Sequence, residues 1–154
     1  MNRRFLLSAV LVAASSLFSA SSLAHHSLAS FDVGTAVWIK GTVVRFDRVN
    51  PHSVIVVDEK TPDGQLRRWA VDGPSTVQLE RRGLDQEFLR TGEVIEFCGF
   101  ALKEGVASQR PESTPGEVMN GVLLVTPDGK KRAWSPYGQL VKCVSPEEAS
   151  SLLP

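Results

Sequence analysis

The sequence has little of several features that mark large functional classes. Its 154 residues include only two cysteines, Cys98 and Cys143, and these lack the Cys-x-x-Cys spacing of redox and thiolate-metal motifs. Lysine and arginine together number 17, and aspartate and glutamate also number 17, so no positive excess predicts nucleic acid or an anionic membrane as the partner. The length leaves room for one domain and excludes most multidomain enzymes.

The N-terminus has the three parts of a secretory signal peptide. Asn2-Arg3-Arg4 forms a short basic region, residues 5–18 are apolar, and Ser22-Leu23-Ala24 supplies a small-residue cleavage site. The apolar segment is shorter than the about 20 residues of a membrane helix, which favours cleavage after Ala24 over an uncleaved anchor. We expect a soluble protein that begins at His25, has no membrane span and is exported to a bacterial periplasm.

Export changes the interpretation of the two cysteines. In an oxidising compartment two cysteines in a small domain usually pair, so we expect a disulfide between Cys98 and Cys143. A redox pair or a thiolate metal site is the alternative, and the spacing supports neither.

The remaining chain predicts a small, mainly β domain. From Ala36 to Val49, apolar residues occupy both odd- and even-numbered positions, and Gly41 lies within the segment. A long strand with apolar residues on both faces and an internal glycine is typical of a strand that bends at a barrel corner. Pro-Asp-Gly turns separate the two strands of two predicted hairpins. The predicted strands beyond the first are Ser53–Val57, Leu66–Val71, Glu93–Phe100, Val118–Thr126 and Lys131–Trp134.

One short helix is predicted between the third and fourth strands. Ser75 precedes Gln78 by the three residues of a capping box, and Gly83 is a stop signal. Three strands, a helix and further strands predict a five-stranded Greek-key barrel of the oligonucleotide- and oligosaccharide-binding (OB-like) type, with a sandwich of the same strands as the alternative.

The predicted organisation has four parts. These are a signal peptide (1–24), an N-terminal arm (25–35), the barrel domain (36–145) and a flexible tail (146–154). The segment from Lys103 to Glu117 is rich in glycine, proline and charge, which predicts an exposed loop.

Three histidines form the one candidate chemical site. Cleavage after Ala24 would make His25 and His26 the first two residues, and His52 lies in an Asn-Pro-His turn. The free amine and Nδ1 of a terminal histidine can chelate one metal ion, and further imidazoles can complete a nitrogen set that suits Cu(II), with zinc as second choice. The alternatives are a flexible terminal pair and a His52 ring that bonds locally within its turn.

Catalytic interpretations have less support. Ser27 is adjacent to His26 in sequence, which is not triad geometry, and no nucleophile-elbow spacing is present. Paired carboxylates are confined to Asp58-Glu59, a predicted strand end, and Glu147-Glu148, near the tail. We therefore expect a protein that is not an enzyme.

Aromatic and basic residues have structural interpretations that compete with functional ones. Trp38, Trp69 and Trp134 fall inside predicted strands, which favours burial over service as stacking surfaces for sugar or base rings. The Arg67-Arg68 and Arg81-Arg82 pairs are expected on solvated faces rather than at anion sites.

Several of these motifs together resemble an uncharacterised family of small exported bacterial proteins. The motifs are Ala24-His25-His26-Ser27, Phe31-Asp32, Lys40-Gly41-Thr42-Val43, Asn50-Pro51-His52 and Trp69, and the resemblance extends from His25 to about Gly99. It implies an exported single domain and marks the three histidines as family positions. It implies no activity for any residue.

Two hypotheses of function follow. The first is a periplasmic protein that binds copper through the processed His25, with His26 or His52 as further ligands. The second is a non-catalytic OB-like module that binds an envelope protein or a glycan, and not nucleic acid, given the balanced charge and the exported location.

Overall fold

The structure is a computed structural model that describes residues 28–85, 87–107, 116–135 and 137–153. The strands are Val37–Asp47 (β1), Val54–Lys60 (β2), Leu66–Asp72 (β3), Val94–Ala101 (β4), Glu117–Val125 (β5) and Lys131–Ala133 (β6). A 3₁₀ turn over Leu28–Ser30 precedes them, and the helices are Thr76–Arg81 (α1), Tyr137–Leu140 (α2) and Pro146–Ser151 (α3). The expected mainly β class is confirmed.

Five strands close into a barrel. The sheet order is β3-β2-β1-β4-β5-β6, and a parallel pairing of β3 with β5, from Trp69 opposite Glu117 to Asp72 opposite Asn120, joins the two ends of the five-stranded part. The other pairings in the barrel are antiparallel. This is the OB-like arrangement predicted from the sequence, and β6 extends it as a hairpin partner of β5.

The long first strand bends and changes register, which explains its mixed pattern. A Cβ on Gly41 would lie 2.5 Å from the Asp58 carbonyl oxygen, so only glycine permits β2 to approach this closely. A bulge between Val43 and Arg45 then adds one residue to β1. As a result Val44 packs on the outside of the barrel and Phe46 packs against its interior.

The interior is filled by apolar side chains from every barrel strand. Trp134, which follows β6, is fully buried, and its ring meets Phe97 edge-on at 5.6 Å between centroids. Its indole N–H donates to the Asp72 carbonyl at 3.2 Å, so the ring's polar atom is satisfied inside the core.

Helix α1 forms at the predicted position. Ser75 is its N-cap, and the reciprocal bonds of the capping box with Gln78 are present. Leu79 is fully buried in the barrel core, so the helix closes one end of the barrel. Gly83, with φ of +69°, follows the helix as expected.

A second layer covers the outside of β4 and β5. The predicted disulfide between Cys98 and Cys143 is present and joins β4 to the segment between α2 and α3. Leu140 and Ala149 are buried against this face. Within the predicted tail (146–154), residues Pro146–Ser151 form α3, with Ser145 as its N-cap and Ala149 buried.

The described part of the N-terminal arm, from Leu28, contacts the barrel. Phe31 forms a bridge with Leu102, and the Asp32 N–H donates to the Ala101 carbonyl at 2.9 Å. The predicted signal peptide (1–24), His25 and His26 lie outside the described residues. No helix in the described ranges is long and apolar enough to cross a membrane.

Candidate functional site

His52 lies in the loop between β1 and β2, at one end of the barrel. Its Nδ1 donates to the Gly73 carbonyl at 3.1 Å and lies 3.5 Å from an Asp72 carboxylate oxygen. Asn50 in the same loop accepts hydrogen bonds from the Thr76 N–H at 3.2 Å and from the Thr76 hydroxyl at 3.0 Å. The loop is thus tied to the end of β3 and to the start of α1.

This arrangement sets the chemistry of the His52 ring. A carbonyl oxygen can only accept, so the proton of a neutral ring sits on Nδ1 and its metal-binding lone pair is on Nε2. Imidazoles that bind metals usually donate their other N–H in this way. The described part of the chain contains no group of three or more histidine, cysteine, aspartate or glutamate side chains placed to hold a metal.

Of the three histidines in the predicted site, the structure describes His52. His52 is placed beside Asp72 and Gly73, while His25 and His26 fall outside the described residues. Sequence reasoning did not find Asp72 or Gly73 as neighbours of His52, because a contact across 21 positions leaves no local signal.

The half of the outer face of β2 and β3 around Val56 and Ala70 is covered, whereas the half with Leu66 and Arg68 is exposed. OB-type barrels commonly bind ligands on this face and its neighbouring loops. Here it carries a cluster of buried apolar residues, and side chains from the N-terminal arm, β1 and the loop after β4 pack against it. The cluster is Val54, Val56, Ala70 and Val118, and the packing side chains are Phe31, Val44 and Leu102.

A different outer surface, formed by the first half of β1 and the first half of β4, is open. We call it the Trp38 face, and it consists of Trp38, Lys40 and Thr42 from β1 with Val94 and Glu96 from β4. Cross-strand pairing places Lys40 opposite Glu96 and Thr42 opposite Val94, so these side chains share one side of the sheet.

Trp38 is the main feature of this face. Its side chain is 46% exposed, whereas Trp69 and Trp134 are 2% and 1% exposed. The expectation that strand tryptophans are buried is confirmed for these two and is wrong for Trp38. The physical reason is the parity of β1: the interior positions belong to Ile39, Gly41 and Val43, so Trp38 must point outward.

The charges on the Trp38 face neutralise each other. The Lys40 ammonium lies 2.9 Å from a Glu96 carboxylate oxygen, with both side chains well exposed. The face therefore combines an aromatic ring, two small apolar or hydroxylated side chains and one ion pair, without a net charge.

The two predicted arginine pairs differ in their surroundings. Arg68 binds both oxygens of Asp58, at 2.6 and 2.7 Å, and this hydrogen bonding holds the pKa of the Asp58 carboxyl below its usual range. Arg67 lies over the Trp69 ring at 5.8 Å. Arg82 is not on a solvated face as expected: it donates to the Trp134 carbonyl at 2.7 Å, and burial lowers its pKa.

Comparison with known proteins gives a family but no activity. A family model described as Family of unknown function (DUF6152) matches residues 12–110. No protein of curated function matches the chain. Among solved structures, the chain is similar to mitochondrial single-stranded DNA binding protein Rim1 from S. cerevisiae, with 12% identity, a TM-score of 0.42, and coverage of 58% of this chain and 91% of that one. A likeness this low carries no argument about function.

Proposed function

Because the chain belongs to the DUF6152 family, whose function is unknown, we propose a function from its own surface: a non-catalytic OB-like module that binds a glycan on the Trp38 face. The resemblance to an uncharacterised family is confirmed by the match. The observation that carries the proposal is the 46% exposure of Trp38 on a strand of a barrel whose other tryptophans are buried.

The chemistry of the face favours a sugar over a nucleic acid. An exposed indole offers a flat apolar surface on which a ring can stack. The adjacent Lys40, Glu96 and Thr42 supply donors and acceptors at its edge, as a hydroxyl-rich ligand needs. A polyphosphate backbone would need unpaired cations, and Lys40 is already paired with Glu96.

Binding without catalysis is the simplest use of these groups. Lys40 and Glu96 are exposed and bonded to each other, so neither is a desolvated acid or base of the kind that general acid–base chemistry requires. The covered half of the β2–β3 face supports the choice of β1 and β4, because the chain's own Phe31 and Leu102 pack against part of the surface that OB-type barrels commonly use.

The test is cosedimentation of the purified protein with insoluble peptidoglycan, together with calorimetric titration of soluble N-acetylglucosamine oligosaccharides. We expect W38A to weaken binding about tenfold or more, the size of effect seen when a central aromatic contact is removed. W38F, which retains a ring, should retain part of the affinity. L66A is the matched control, because Leu66 is an apolar side chain 74% exposed on β3 and is not part of the Trp38 face.

Fluorescence also reports the surface directly. Iodide should quench about a third of the emission, since one of three tryptophans is well exposed, and a bound oligosaccharide should protect that fraction. If neither glycan binds, or if W38A binds as tightly as the unmodified protein, the glycan proposal is wrong. Retention of an envelope protein through Trp38 instead would replace the glycan with a protein partner.

We propose further that the chain acts in the bacterial periplasm after cleavage at Ala24. The Cys98–Cys143 disulfide supports an oxidising compartment. Fractionation of expressing cells and mass spectrometry of the exported form test this directly. A mature mass beginning at His25 supports the proposal, and a cytoplasmic product that retains Met1 overturns it.

A second function, binding of Cu(II) at the processed terminus, is favoured by the geometry of His52. Its Nδ1–H is held by the Gly73 carbonyl, which is the support that metal-binding imidazoles usually have. Phe31 of the arm packs against the cluster that contains Val54, two residues after His52. The arm that leads to His25 and the loop that holds His52 therefore border one surface. Zinc remains the second choice of metal.

The copper test uses the mature protein and a matched chain with one extra serine before His25. The chelate needs the His25 amine, so the native terminus should bind one Cu(II) by titration calorimetry and the extended terminus should bind it at least about tenfold more weakly. H52Q should weaken the native form further. Equal affinities of the two termini would exclude the chelate.

A further inference from the structure

A cleft of about 250 Å³ lies where α1, β6 and α3 meet, away from the Trp38 face. Four basic residues line it: Arg81 and Arg82 at the end of α1, and Lys131 and Arg132 on β6. Leu152 and Leu153, at the end of α3, give the cleft an apolar side. In the sequence, Arg81 and Arg82 are about 50 positions from Lys131 and Arg132, and the fold brings the two pairs to the same cleft.

Arg82 is held rigidly in this cleft. Its Nη1 donates to the Trp134 carbonyl at 2.7 Å and to the Ala133 carbonyl at 3.3 Å. These partners are neutral carbonyls, and Arg82 forms no ion pair with a carboxylate in the part of the chain that the structure describes. Burial removes part of the hydration of the guanidinium and so lowers the pKa of Arg82.

The cleft has a net positive charge although the whole chain has none. Lys131 is neutralised by Glu148, whose carboxylate oxygen is 2.7 Å from its ammonium. Arg81 and Arg132 form no ion pair with any carboxylate in the described ranges. In a chain with 17 basic and 17 acidic residues, this leaves three arginine charges gathered around one cavity.

We propose that the cleft binds a small phosphate-bearing ligand, with the phosphate at the three arginines and an apolar part against Leu152 and Leu153. Planar guanidinium groups match the oxygens of a phosphate with paired hydrogen bonds. The fixed Arg82 reduces the entropy lost on binding. The volume fits one phosphate with a small organic group, so a soluble phosphate ester and a phospholipid headgroup are the two sources of this chemistry.

The experiment titrates the full chain with phenyl phosphate, with inorganic phosphate and with vesicles of phosphatidylglycerol, using phosphatidylcholine vesicles as the reference. Chemical-shift mapping and calorimetry give the site and the Kd. R81Q and R132Q should each weaken binding about tenfold, because each removes a charge-assisted hydrogen bond, and the Kd should rise with salt. R45Q, on β1, is the matched control and should bind like the unmodified protein.

The outcomes are distinct. Binding of phenyl phosphate that R81Q and R132Q weaken assigns the cleft to a soluble phosphate ester, and phenyl phosphate should bind more tightly than inorganic phosphate because of the leucines. Binding to phosphatidylglycerol vesicles alone, with the same dependence on both arginines, assigns it to a lipid headgroup. If no probe binds, or if R81Q and R132Q bind as tightly as R45Q, the proposal is overturned. Circular dichroism verifies that each variant is folded.

Discussion

Cys98 in β4 and Cys143, between α2 and α3, form a disulfide with their Cα atoms 6.0 Å apart. Cys98 is fully buried on the outer side of the barrel, next to Phe100. The bond therefore fastens the C-terminal helices to the sheet, where the apolar contacts of Leu140 and Ala149 complete the attachment.

Removing this bond should destabilise the protein strongly. The two cysteines are 45 positions apart, and the chain-entropy model gives about 3–4 kcal/mol for closing a loop of this length. Urea unfolding of C98A/C143A should show that loss of unfolding free energy. Dithiothreitol should destabilise the unmodified protein and leave the double variant unchanged; equal stabilities without reductant would contradict the prediction.

The ion pair of Asp58 and Arg68 should make stability depend on acid pH. Hydrogen bonds from Arg68 lower the pKa of Asp58 in the folded state, so the unfolded state binds more protons between the two pKa values. The contribution is fully present above the unfolded pKa of about 3.9 and is lost as the pH falls through the lower, folded value. Unfolding free energies between about pH 2 and 6 should therefore fall less steeply in D58N than in the unmodified protein.

Two variants control this measurement. R68Q removes the partner and should reduce the acid dependence as D58N does. E104Q changes an exposed glutamate on a loop and should keep the full slope. A D58N slope equal to that of the unmodified protein would show that the pair does not contribute to acid unfolding.

Much of the fold was predictable because its determinants are local. The Ser75–Gln78 capping box set the start of α1, and the two Pro-Asp-Gly turns set the hairpins. Helices α2 and α3 are not predicted from the sequence. Helix α3 is short and buries only Ala149, so it has no apolar periodicity that would mark a helix. Ser145 followed by Pro146 was an available N-cap signal for α3.

The surface was less predictable than the fold. In β1 both parities are apolar, so alternation could not decide whether Trp38 or Ile39 faces the interior. The bulge after Val43 then reverses the parity, which places Phe46 on the same side as Ile39. The basic cleft could not be predicted from the sequence either, because the contact between Arg82 and Trp134 joins residues 52 positions apart.

Gly41 should tolerate no side chain. A Cβ there would lie 2.5 Å from the Asp58 carbonyl oxygen and 2.6 Å from a Val57 methyl group, and the backbone atom cannot move without breaking the β1–β2 pairing. We expect G41A to lower the unfolding free energy by about 1–3 kcal/mol or more, measured by urea unfolding. G138A is the control, since nothing lies within 4 Å of a Cβ at Gly138 in α2, and it should be neutral or slightly stabilising. A neutral G41A would show that β2 can move away.

Arg82 should contribute to stability far more than its neighbour Arg81. Its guanidinium joins the end of α1 to the carbonyls of Ala133 and Trp134, which lie beside the barrel core. R82M retains the apolar stem but leaves these part-buried carbonyls without their charged donor, so we expect a loss of about 1–3 kcal/mol in thermal or urea unfolding. R81M, an exposed neighbour, should stay within about 0.5 kcal/mol of the unmodified protein. Equal stabilities of R82M and R81M would mean that water replaces the Arg82 guanidinium at the two carbonyls without a loss of free energy. Arg82 would then not be held in place in solution as the phosphate proposal requires.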